Sequence, residues 1–144
     1  MQHHPAALFT LLLLLLSAAA CTEPAPAPGP SADDDDLGRL VGSVSYRERI
    51  ALTNQAELVV TLEDVSRQDV AATILASQHT ADPGQVPIRF ELEYDRDAID
   101  PRMSYVVRAR ITDRGRLLFT TDTVVPVLTR GGGREAHLLL VQTP

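Results

Sequence analysis

One cysteine, Cys21, stands at the end of an apolar run, and a cysteine in that setting has a specific chemistry, lipidation at an export signal. The run extends from Ala6 to Ser17 and leads through Ala18, Ala19 and Ala20 into Cys21. The stretch from Pro5 to Ala20 is shorter than the roughly 20 apolar residues that span a bilayer, and it ends in the small residues a signal peptidase requires. Residues 1–20 are therefore expected to be a cleaved lipoprotein signal peptide. The start, Met1-Gln2-His3-His4, has no Lys or Arg, and Ala18 occupies the place where such signals usually carry Leu. The same three alanines satisfy the ordinary A-x-A rule, so the plain alternative is a secreted chain with an unmodified Cys21. With lipidation, a diacylglyceryl group plus an N-acyl chain such as palmitate, at about 0.8 kcal/mol per buried CH2, exceeds what stable anchoring needs.

Other side chains offer less. After cleavage the only imidazoles are His79 and His137, with no His-x-His or His-Glu-x-x-His spacing, so solvated or partly packed rings are expected rather than metal ligands. Glu91 and Glu93 point the same way on a strand, but arginines nearby suggest ion pairing rather than a raised pKa. The run Asp33–Asp36 lacks the alternating spacing and turn glycine of a calcium loop. No nucleophile sits with a base, so the chain is expected to be non-enzymatic and to need no cofactor or metal. Arg47-Glu48-Arg49 and Glu63-Asp64 form a candidate polar interaction surface. A charged loop or solvent face is the commoner explanation of such residues.

Composition narrows the partners. The 144 residues carry 13 basic and 19 acidic side chains, for a net charge of −6, and every basic one is Arg. With acids in excess and no basic cluster, nucleic acid is not an expected partner. The lone cysteine leaves no intramolecular disulfide, so the fold relies on its core. Residues 21–39 read as a lipidated cysteine and tether. Pro24, Pro26, Pro28 and Pro30 favour extended polyproline II, and the acidic run repels itself, giving a reach of roughly 50 Å.

From residue 40 to 144 the chain reads as one all-β domain, with short Val-, Leu-, Ile- and Tyr-rich runs separated by turn residues. Leu40, Gly42, Val44 and Tyr46 share one face of a first strand, and Leu58, Val60 and Leu62 one face of a second. The run Ala72–His79 is ambiguous between strand and a turn or two of helix, and is taken as strand. Ile88, Phe90, Leu92 and Tyr94 alternate with Arg89, Glu91 and Glu93, as Tyr105, Val107, Ala109 and Ile111 do with Arg108 and Arg110. If these two runs pair as a hairpin, Glu93 faces Arg108 and Glu91 faces Arg110. Asp113-Arg114-Gly115 supplies a tight turn into Leu117, Phe119, Thr121 and Thr123. Pro87 and Pro126 mark edges or strand ends, and a last strand runs through Ala136, Leu138 and Leu140. About seven strands in about 100 residues predict an antiparallel, immunoglobulin-like β-sandwich without its cysteine pair, with barrel closure as the competing architecture.

The ordered series Tyr46-Arg47-Glu48-Arg49-Ile50-Ala51-Leu52, Leu62-Glu63-Asp64-Val65-Ser66, Ile99-Asp100-Pro101, Leu117 to Thr123 and Pro126-Val127-Leu128-Thr129 resembles the YbaY family of bacterial lipoproteins, grouped with YscW-type pilotins of type III secretion. The resemblance covers residues 40–142 and departs from the family pattern at Thr53–Ala56, where a Pro-rich turn is usual. It implies a compact β-sandwich on a lipid anchor and, in the pilotin branch, a chaperone that escorts secretin subunits to the outer membrane. Thr22 is not the Asp that favours inner-membrane retention, so the periplasmic face of the outer membrane is the expected address. The leading expectation is a membrane-anchored lipoprotein that binds another envelope protein. The rival is a structural or stress-related lipoprotein that binds a polysaccharide or small ligand, against which stand only three Tyr, three Phe and no Trp.

Overall fold

The computed structural model describes residues 36–144. The expected signal peptide, Cys21 and most of the expected tether lie outside that range. Eight strands form: β1 (Leu37–Tyr46), β2 (Ala56–Asp64), β3 (Thr73–Ala81), β4 (Ile88–Asp95), β5 (Tyr105–Asp113), β6 (Arg116–Thr120), β7 (Val125–Val127) and β8 (Glu135–Gln142). Their order across the sheet is β3-β2-β5-β6-β8-β1-β4, with β7 continuing the place of β6 beside β5.

The expected sandwich is replaced by a nearly closed, barrel-like mixed sheet. The ladder β4-β1-β8 and the ladder β3-β2-β5-β6 join through a short β6–β8 pairing, Phe119↔Gln142 and Thr120↔Val141. The sheet is mixed because β8 runs parallel to β1, from Val41↔Glu135 to Tyr46↔Leu140. Periodicity reports which face of a strand is buried, not which strand lies beside it, and what separates this barrel from a sandwich is the short antiparallel β6–β8 contact that joins the two ladders.

Burial follows the alternation read from the sequence. Ile88, Phe90, Leu92 and Tyr94 are buried while Arg89, Glu91 and Glu93 are exposed. Leu40, Val44, Leu58, Val60, Leu62, Val107, Ile111, Phe119, Leu138 and Leu140 fill the interior. Tyr46 stacks on Phe119 with ring centroids 4.0 Å apart and planes at 7°, and its hydroxyl donates to the Ile50 carbonyl at 2.6 Å. Burial, and secondarily the negative charge of Glu48, raise the pKa of that phenol.

The proposed β4–β5 hairpin does not form. β4 pairs with β1, from Leu37↔Asp95 to Val44↔Ile88, and β5 with β2, from Ala56↔Asp113 to Asp64↔Tyr105. Arg39 of β1 takes both carboxylates, its Nε 2.6 Å from Glu91 and its Nη2 3.2 Å from Glu93. Arg108 pairs with Glu63 of β2. The β5–β6 turn does form around Arg114 and Gly115, both at positive φ, the geometry of a two-residue hairpin loop. Just after it, buried Thr121 replaces a ladder step, its Oγ1 accepting from Ala109 N–H at 2.8 Å and donating to Ala109 O at 3.1 Å.

Because β1 leaves the N-terminal segment at Leu37 and ends at Tyr46, the barrel has an N-terminal end and a far end. The loop 47–55 crosses the far end from β1 to β2, which lie on opposite sides of the strand order, and buried Leu52 plugs it. Gln85 brackets that plug: its Nε2 donates to Leu52 O at 3.0 Å and its Oε1 accepts from Leu52 N–H at 3.1 Å.

Candidate functional site

The most exploitable feature begins with a weakness in the sequence of β3. Its register with β2 puts Ala76, Gln78 and Thr80 on the same face as the core residues Leu62, Val60 and Leu58. An inward face carrying an amide and a hydroxyl cannot continue the apolar interior. Leu75 is skipped in the register, between Leu62↔Ala76 and Glu63↔Ile74, a bulge of the kind common on edge strands. Across from it, β4 follows Pro87 and pairs only with β1.

β3 and β4 are the two ends of the strand order, and they approach each other without a ladder. A side chain stands in for one: Gln78 Oε1 accepts from the main-chain N–H of Glu91 at 2.8 Å, and Gln78 Nε2 is held by Thr80 Oγ1 at 3.2 Å. Since the Glu91 N–H points away from β1, the alternation of a β ladder turns the N–H and C=O of Arg89 and Glu93 the same way. Among the described residues those groups have no ladder partner and so form a free edge, the usual template for an added strand.

Beside the seam, the outer face of β4-β1-β8 holds a groove of about 540 Å³ lined by Val41, Ser43, Gln78, Pro87, Arg89, Glu91, Glu135 and His137. Within it Ser43 Oγ lies 2.9 Å from His137 Nδ1, and His137 Nε2 lies 3.5 Å from Glu135 Oε1. These are the atom types of a hydrolytic triad in the wrong arrangement. The hydroxyl meets Nδ1 rather than Nε2, and the His and Glu side chains are 73% and 69% exposed, so neither is oriented by packing. Among the described residues no group of three or more His, Cys, Asp or Glu is placed to hold a metal.

The five residues picked out as an interaction surface do not come together. Arg47, Glu48 and Arg49 lie on the far-end loop, with both arginines exposed and Glu48 Oε2 buried without a hydrogen-bond partner. Glu63 and Asp64 lie at the opposite end of β2, roughly 25 Å away by strand rise. Glu63 accepts from Thr61 Oγ1 at 2.8 Å and pairs with Arg108 Nε at 3.2 Å. Asp64 Oδ1 accepts from the N–H and hydroxyl of Ser66, whose Oγ takes the Ser104 N–H. Both acids are thus engaged within the domain. Gln78 and the β4 edge were not singled out from sequence, although the ambiguous run around residues 72–79 and Pro87 are the marks they leave there.

Taken together, the fold defines a small all-β domain with a polar seam between two edge strands, a module suited to binding rather than to chemistry. Comparison with known proteins places it more closely. Residues 35–140 match the family described as type III secretion system lipoprotein chaperone (YscW), and the chain belongs to that family. It is 38% identical over 101 residues to the uncharacterized lipoprotein YbaY of Escherichia coli (strain K12), a match spanning 69% of this chain and about half, 53%, of that relative. Its structure resembles that of an alternative pilotin from the type II secretion system of Vibrio cholerae, with a TM-score of 0.72 and 39% identity over 75% of this chain and 98% of the other.

Proposed function

We propose that this chain is exported, lipidated at Cys21 and held at the periplasmic face of the outer membrane, where it captures an extended segment of another envelope protein at the β3–β4 seam and acts as a pilotin-like assembly chaperone. The observation that carries this reading is the Gln78–Glu91 bridge: a single side-chain hydrogen bond occupies an edge that an incoming strand would fill with a main-chain ladder. Membership of a lipoprotein chaperone family and the likeness to a pilotin support it. Arg47 and Arg49 on the far-end loop supply a secondary contact, whereas Glu63 and Asp64 serve the fold. The rival reading, a polysaccharide or small ligand in the groove, lacks a stacking platform: the groove's one aromatic, Phe90, is 4% exposed.

The test places a photo-crosslinking amino acid at Ser77 or Glu93, at the seam, and at Arg110, on the outer face of β5, in the full chain within its native envelope. A discrete protein adduct from both seam positions, absent at Arg110 and reduced by Cys21→Ala, is expected. Identical adducts from all three positions, or none from the seam, would remove the seam as the capture site.

A further inference from the structure

Every charged side chain in the groove except one has a close polar partner among the described residues. Glu91 shares Arg39 with Glu93, and Glu135 lies against His137. Arg89 also lines the groove, exposed, and makes no ion pair among the described residues. Its neighbour on β1 is Ser43, a small neutral group that leaves the guanidinium open on that side. Arg89 belongs to the strand whose free edge faces the seam, so a strand added to that edge, about 4.8 Å away, would bring its outward side chains alongside it.

We infer that the segment captured at this seam carries an acidic side chain, Asp or Glu, on its outward face opposite Arg89. The inference rests on the capture reading given above and adds the chemistry of the partner. Main-chain pairing along the edge of β4 supplies affinity without regard to sequence, and the unanswered guanidinium supplies the register. A basic residue at that position meets Arg89 as a like charge, which disfavours it. Further along the same face of β4, Glu91 and Glu93 divide one guanidinium between them, so the outward positions opposite those two residues favour neutral or basic residues over a second acid.

The test uses the full chain purified in detergent and three fluorescein-labelled decapeptides of alternating Ser and Val in which one central Ser is replaced by Asp, Asn or Lys. The repeating pattern lets each peptide slide until its unique residue finds its preferred place. Fluorescence polarisation is expected to rank Asp above Asn above Lys, with about two- to fivefold per step, the range of an exposed ion pair. Arg89→Glu is expected to reverse the order, and Arg110→Glu, on the outer face of β5, to leave it unchanged. Equal affinity for the three peptides, or an order that Arg89→Glu does not alter, overturns the inference and leaves edge capture standing. Failure of all three to bind at about millimolar concentration overturns edge capture itself and the inference with it.

Discussion

The ladders β4-β1-β8 and β3-β2-β5-β6 approach each other along two lines, and the two are built differently. At the β6–β8 junction main chain meets main chain, extended by Thr143, whose N–H and hydroxyl donate to Leu118 O and Leu117 O at 2.8 and 2.7 Å, over the buried stack of Tyr46 on Phe119. At the β3–β4 seam the hydrogen bonding among the described residues is one amide side chain on one backbone N–H, above an inward face that turns polar at Gln78 and Thr80. A junction made of backbone over an apolar stack belongs to the core and fails only with it. A junction made of a side chain can open while the rest stays folded, which is the division of labour a binding domain needs.

The sharpest way to break the closed junction is Phe119→Ala. It leaves a void beneath Tyr46 and is expected to cost about 3–5 kcal/mol, read as a lower urea midpoint with the slope unchanged. Gly42→Ala attacks the wall on the other side. A Cβ there would come within 1.9 Å of Ala136 O and 2.6 Å of the Phe90 ring, so the β1–β8 ladder must shift. The expected loss is about 1–3 kcal/mol in the same assay. Gln78→Leu tests the open seam and is expected to change stability by less than about 1 kcal/mol, because the released Glu91 N–H can turn to water. Hydrogen exchange sharpens the contrast: the Glu91 amide should accelerate in that variant, while the amides of Phe90 and Leu92, which face β1, keep their protection.

The smallest effect lies in neither junction but in the 96–104 connection. Hydrogen bonds from the Arg102 side chain, then from its main-chain N–H, hold the Asp100 carboxyl at about 2, below its ordinary 3.8. A lowered carboxyl pKa contributes stability above its unfolded value and loses it as pH falls through the folded one, so this contribution is full above about pH 4 and gone below about 2. A carboxyl titration by NMR should place the Asp100 midpoint near 2 and return it towards 3.8 in Arg102→Ala.

How far the sequence could be read follows the same divide. Strands β1, β2, β4 and β5 were legible because a half-buried strand writes its period into residue types, and Leu92 or Val107 had nowhere to go but inward. Partners were not legible. Glu91 and Glu93 could be matched with Arg108 and Arg110 or with Arg39, and with 13 arginines in the chain charge alone does not choose. The parallel neighbour of β1 lies nearly a hundred residues along the chain, beyond any local pattern. The seam was the least visible element, since a strand with Gln78 and Thr80 turned inward has no clean alternation to announce it.

The placement of β1 has a mechanical consequence. The N-terminal segment enters the domain at Leu37, and β1 is gripped on both flanks, by β4 from its first residue and by parallel β8 from Val41 to Tyr46. Ladder hydrogen bonds lie across the strand direction, so a pull on the chain ahead of Leu37 along the axis of β1 loads them together in shear instead of peeling them one at a time. Cargo hooked to the edge of β4 would therefore hang one strand away from the line of tension, on the part of the barrel best made to carry it.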